Sequence, residues 1–216
     1  MKKNNQKNLC IAVGLLAAFA LWTVAVRYVD VAPIGPRGST VGFASVNGFV
    51  HRLVGVHMSL YTITDWLGLV PVGVGMGFAL LGLVQWLKRR RLGRVDYNLF
   101  VLGGFYIVVL AVYLFFETVV INYRPVLIDG FLEASYPSST TMLVLCVMPT
   151  AAMQLRARIQ NRAMRYAVTI TITAFMVFMV VGRFISGVHW MTDIVGGALL
   201  SAALVMLYRW ISCLKE

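Results

Sequence analysis

Acidic side chains are scarce in this sequence. Asp and Glu number 8 against 19 Lys and Arg, and charged residues of both signs make up only 12% of 216. Cysteine occurs three times, at Cys10, Cys146 and Cys213, each inside or beside an apolar run. An odd, scattered set excludes a disulfide framework, and without paired spacing it excludes a cysteine metal site, so these three are expected to be packing residues. No internal repeat or low-complexity segment stands out. What fills the chain instead is apolar: 60% hydrophobic residues and a mean hydropathy of +0.81. That composition excludes a soluble domain and predicts an all-α, polytopic membrane protein.

Six apolar runs are long enough to cross a bilayer, approximately 9–29, 60–87, 97–116, 138–155, 166–183 and 189–208, within one domain covering 1–216. The first follows Lys2, Lys3 and Lys7, the opening a signal peptide would also have. Its length favours a retained helix. Residues 30–57 are less apolar and hold Pro33 and Pro36, a loop signature. Within them Val46, Phe49, Val50 and Leu53 recur at helical spacing around Asn47, His51 and Arg52, which predicts a short helix on the membrane surface. Gly73, Gly75, Gly77 and Gly82 suit close helix packing in lipid.

The basic residues fall on one side. Lys2, Lys3, Lys7, the cluster Lys88 to Arg94, then Arg156, Arg158, Arg162, Arg165, Arg209 and Lys215 flank alternate ends of the runs. Arg27, Arg37, Arg52, Arg124 and Arg183 lie on the other side with most of the acids. By the positive-inside rule both termini are cytoplasmic, in a plasma (cell inner) membrane, and the surface helix is extracytoplasmic. The net charge of +11 then reports orientation and attraction to anionic lipid heads, not a nucleic-acid partner. Nothing in the sequence identifies a protein partner.

The informative residues gather on the extracytoplasmic side. His189 and Asp193 are four apart, so a helix would place them on one face, with a carboxylate about 3 Å from the imidazole. Arg183 ends the preceding run. Upstream, Arg124-Pro125 lies in the connection after the third run, and Pro137-Ser138 opens the fourth, where Ser138 is a good N-cap above free backbone N–H groups. Asp65 is placed to tie a loop or an arginine. The bland reading is a polar membrane-edge turn. The sharper one is a phosphoryl-transfer site, with positioned positive charge and a nucleophile.

Arg-Pro, then Pro-Ser at a helix start, then Arg-x5-His-x3-Asp, on six runs, resembles the type 2 phosphatidic acid phosphatase superfamily of membrane lipid phosphatases. The resemblance implies a metal-independent reaction without a cofactor, acting on a membrane lipid phosphate. It makes His189 the nucleophile and Asp193 its orienting carboxylate. Arg124, Ser138 and Arg183 would bind phosphate, with Ser139 and Thr140 as further hydroxyl contacts.

Three positions depart from that pattern. Glu117 stands where the family has Lys, Ser139 and Thr140 replace Gly-His of the second motif, and Gly182 replaces Ser before Arg183. Thr140 in place of His removes the family's general acid, which Thr cannot replace near neutral pH. Three readings follow: a diphosphate substrate whose leaving group needs little acid; a relocated acid, from His51, His57 or Glu133; or a pocket that binds lipid phosphate without turnover or passes the phosphoryl group on. A small lipid transporter is the reading from another class.

Overall fold

The computed structural model describes residues 2–214, with the side chains of residues 2–4 and of Leu92 outside the description. The charges expected of Lys2, Lys3 and Lys215 therefore lie outside the described residues. Eight α-helices follow in order: α1 (Lys2–Tyr28), α2 (Ala44–Val54), α3 (Met58–Leu67), α4 (Leu69–Arg89), α5 (Tyr97–Thr118), α6 (Ser139–Arg158), α7 (Arg162–Ile185) and α8 (Met191–Ser212). Six stretches are long and apolar enough to cross a membrane, counting α3 and α4 as one continuous stretch, Met58–Arg89. The chain is an all-α integral membrane protein.

Most helices outrun the apolar segments. Lys and Arg are good helix formers, so the charge that ends an apolar run does not end the helix; α6 continues through Arg156 to Arg158. The second run is broken: α3 stops and α4 starts at Gly68, whose N–H bonds to the carbonyls of Thr64 and Asp65 at 3.0 Å each. The surface helix is present as α2. Its apolar residues Val46, Phe49 and Leu53 are exposed, as a bilayer-facing stripe would be.

α8 is the axis of the bundle, packed against α1, α5 and α6. Half of the apolar window of α6 and of α8 is buried, against 6% for Met58–Arg89. Lipid is as apolar as these side chains, so close packing supplies the association. Gly197 allows it: a Cβ there would stand 3.1 Å from the Ser138 carbonyl and 3.4 Å from Thr141. Below this contact Leu102, Met142, Cys146, Leu200 and Tyr208 form the core.

Two expectations need correction. Only Cys146 is a packing residue; Cys10 and Cys213 are exposed on helix surfaces that a bilayer can cover. The α4 glycines do not mediate close packing either. A Cβ on Gly73, Gly77 or Gly82 would meet nothing within 4 Å, and one on Gly75 would only touch the Tyr106 ring. Gly75 and Gly82 instead line a groove.

Candidate active site

The connection between α5 and α6 is folded back on itself. Its tip, Ile128-Asp129-Gly130-Phe131, has positive φ at both central residues (49° and 81°) and a bridge between Ile128 and Phe131. This is the backbone of a two-residue hairpin turn, for which Asp-Gly is a favoured pair. Further down, Tyr123 pairs with Ala134, and the register shifts across the segment holding Pro125, which has no N–H to donate. The pairing sets Asn122 and Arg124 beside Ser135 and Glu133: Ser135 N–H donates to Asn122 O at 2.9 Å and Arg124 N–H to Glu133 O at 3.0 Å.

The other half of the site is the turn from α7 into α8. Gly187 has φ +68°, and a Cβ there would lie 1.9 Å from the Gly55 carbonyl, so this turn requires glycine. His51 on α2 braces it, Nε2 donating to Gly187 O at 3.1 Å, with its ring 5.4 Å from Trp190. Asp193 then caps α8: its Oδ2 accepts the Trp190 N–H at 2.9 Å.

His189 and Asp193 are both buried, but they share no direct hydrogen bond among the described residues. Ser135 stands between them. Its Oγ donates to Asp193 Oδ2 at 2.5 Å and lies 3.1 Å from His189 Nδ1. Asn122 Nδ2 donates to the other carboxylate oxygen at 3.2 Å. The two residues do not share a helix face as expected, because His189 precedes α8, and its ring meets the hairpin first. With the Ser135 proton used on Asp193, Nδ1–H must donate to Oγ, which leaves the lone pair on Nε2. Nε2 is buried with no hydrogen-bond partner among the described residues. Burial, with the Arg124 and Arg183 charges adding to it, holds His189 well below the ordinary imidazole pKa, so the ring is neutral at pH 7.

Both arginines are buried, and both guanidiniums lie on the Tyr61 ring of α3, at 5.7 Å for Arg124 and 4.8 Å for Arg183. Arg183 Nη1 is 3.4 Å from Asp65 Oδ1, so Asp65 does tie an arginine. Arg124 Nε lies 3.1 Å from Glu133 Oε2 as an ion pair whose N–H is not aimed for a hydrogen bond. Arg124 Nη1 and Arg183 Nε are buried without hydrogen-bond partners among the described residues. Orphaned donors of this kind are rare and suit an anion.

Ser138 is the N-cap of α6, but its side chain makes no cap hydrogen bond. Its N–H donates to Asp193 O at 3.1 Å while its Oγ stays buried and unpartnered. Arg124, Ser138, Arg183, His189 and Asp193 thus belong to one cluster. Ser139 instead lines a crevice with Tyr113 and Glu117, and the Thr140 methyl packs toward Gly68 at the α3–α4 break. His51 is half-buried in bracing the turn, and His57 is exposed with Nε2 on Val54 O at 3.0 Å, so neither imidazole is directed at His189 by a hydrogen bond.

The sequence analysis missed Ser135, Asn122 and Tyr61. Asp129-Gly130 between Ile128 and Phe131 was a hairpin signal, and folding there brings Ser135 and Asn122 together. Tyr61 had no signal, since its role depends on where α3 breaks from α4.

Residues 118–214 match the family model of the PAP2 superfamily. The fold resembles the crystal structure of the first transmembrane PAP2 type phosphatidylglycerolphosphate phosphatase from Bacillus subtilis, with TM-score 0.54 and 20% identity over 93% of this chain and 95% of that one. No curated protein matches the sequence.

Proposed function

We propose that the chain, whose residues 118–214 match the PAP2 superfamily model, dephosphorylates a membrane lipid phosphate or diphosphate through a phosphohistidine on His189. The observation that carries this reading is the state of His189 Nε2: a buried, unpartnered nitrogen of a neutral imidazole, in the field of two guanidiniums that hold unpartnered donors. The Nε2 lone pair attacks phosphorus, an N–P bond forms, and the P–O bond to the lipid oxygen breaks. Arg124 and Arg183 offset the charge on the transferring phosphoryl group, which makes the reaction metal-independent, and Ser138 Oγ adds a donor. Water then attacks the phosphorus, the N–P bond breaks to release phosphate and restore the Nε2 lone pair, and the proton that water loses goes to solvent or to the group that protonated the leaving oxygen. Asp193, through Ser135, supports the charge that the imidazole gains.

The leaving oxygen is the point on which substrates divide. A diphosphate leaves as a phosphate with second pKa near ~6 and needs little help. A monophosphate ester leaves as an alkoxide and needs a donor, for which Glu133, beside Arg124, is better placed than His51 or His57. The basic clusters support a reading with both termini in the cytoplasm and the site on the outer side of a plasma membrane. In a cysteine-free background, an impermeant thiol reagent on intact cells should label position 129 and spare position 91.

The test is phosphate release by purified protein, with chelator present, from a panel of lipid mono- and diphosphates. Turnover lost in His189→Ala supports the reading, and Thr140→His raising only monoester turnover supports a diphosphate as the natural substrate. No release, with binding still lost in Arg183→Ala, would make the chain a lipid-phosphate binder. Phosphate passed to another acceptor would make it a phosphotransferase, and lipid translocation surviving His189→Ala a transporter.

A further inference from the structure

The groove left by the glycines lies at the other end of α4 from Tyr61 and Asp65, and the reaction does not use it. It is a cavity of about 230 Å³ between α4 and α5, lined by Gly75, Gly82, Trp86, Val95, Gly103 and Tyr106 among others. Gly82 and Gly103 create the space, since a Cβ on either would meet nothing within 4 Å. Tyr106 does not close it, because its hydroxyl is engaged with Thr150 at 3.2 Å. Trp86 and Leu83 on its rim are 42% and 43% exposed, so one side is open to the membrane. From Gly75 to Trp86 the groove runs ~16 Å at a helical rise of 1.5 Å per residue, long enough for much of one acyl chain.

Its far end abuts the α4–α5 loop. Gln85 and Asp96 clamp that loop with reciprocal hydrogen bonds of 2.8 and 3.0 Å, and Arg89 is paired with Asp96 at 3.1 Å. Lys88, Arg90, Arg91 and Arg94 are exposed and in no ion pair among the described residues. An apolar channel ending in unpaired cations matches a molecule with an acyl chain and an anionic head. A second copy of this chain does not match, because it would bring the two basic loops together.

We infer that the α4–α5 groove is a binding site for an anionic phospholipid, one acyl chain along Gly75 to Trp86 and the phosphate on Arg90, Arg91 and Arg94. The site is separate from the His189 pocket, so it stands or falls independently of the proposed reaction.

Trp86 is a built-in reporter. The experiment measures quenching of the Trp86 component (full-length protein minus Trp86→Phe) in reconstituted bilayers by brominated phosphatidylglycerol and brominated phosphatidylcholine. Phosphatidylglycerol should quench with roughly fivefold higher apparent affinity for each arginine engaged. Arg90→Gln, Arg91→Gln and Arg94→Gln together should remove that preference. Gly82→Leu with Gly103→Leu should remove the preferential component while His189-dependent turnover stays unchanged. Equal quenching by both lipids in the unaltered protein overturns the site, whatever the folding of the variants. Preference that survives filling of the groove reduces it to surface charge alone and overturns the acyl-chain seat.

Discussion

Oε2 of Glu133 lies 3.1 Å from Nε of Arg124, a carboxylate beside a guanidinium that the proposed reaction needs for phosphate. If Glu133, once protonated by solvent, gives the leaving oxygen its proton, Glu133→Gln should lower kcat on a lipid monophosphate by about 10²–10⁴-fold. Turnover of a lipid diphosphate should change far less. Parallel kinetics on the two substrates check this; equal losses on both would leave Glu133 a tether for Arg124.

Ser135 predicts a different signature. Ser135→Ala removes the hydroxyl that links His189 to Asp193 and should lower kcat by roughly 10–100-fold, the range seen when a supporting hydrogen bond is lost. KM should hold, since the guanidiniums are untouched. Ser135→Thr, which keeps the hydroxyl, should recover most of the rate.

The acid limb of the pH–rate profile should fall below the ordinary imidazole pKa of about 6.5, because His189 is held neutral first by burial and then by Arg124 and Arg183. Arg124→Gln removes one of the two charges and should move that limb upward. Stability follows the same group. Its folded pKa is depressed, so its contribution is present above the unfolded value of about 6.5 and is lost as pH falls from there toward the folded one. Unfolding midpoints measured in detergent from pH 7 to 5 should decline more steeply than those of His189→Gln.

Gly187→Ala should destabilise the protein by at least about 1 kcal/mol, because the substitution meets both a positive φ and the Gly55 carbonyl. Thermal unfolding checks the stability. Activity should fall with it, since this turn carries the chain into His189.

Much of the bundle was legible because bilayer thickness and backbone satisfaction leave an apolar run of about twenty residues few alternatives to a helix. The interruption at Gly68 was not legible, since it occupies a single residue within an otherwise continuous apolar run. In the candidate site, Arg124, Ser138, Arg183, His189 and Asp193 could be found by residue type and spacing. Ser135 could not be found that way. It reaches His189 through the register of a hairpin, and a shift across Pro125 alters the facing residues without changing composition. Ser139 and Thr140 show the reverse: adjacency to Ser138 put them on the list, and helical rotation turned each toward a different neighbour.

The hydrogen bond from Trp22 Nε1 to Thr192 O spans 170 residues, and Thr23 meets the Tyr136 hydroxyl at 2.7 Å. α1 leaves the ribosome well before the segments that it supports. Through most of biogenesis, therefore, the early helices wait in the bilayer with that flank of α1 uncovered. Contacts this distant in sequence form late. The buried, neutral His189 can exist only after α8 has been inserted, so a nascent or truncated chain lacking α8 would not have the pocket proposed to hold phosphate.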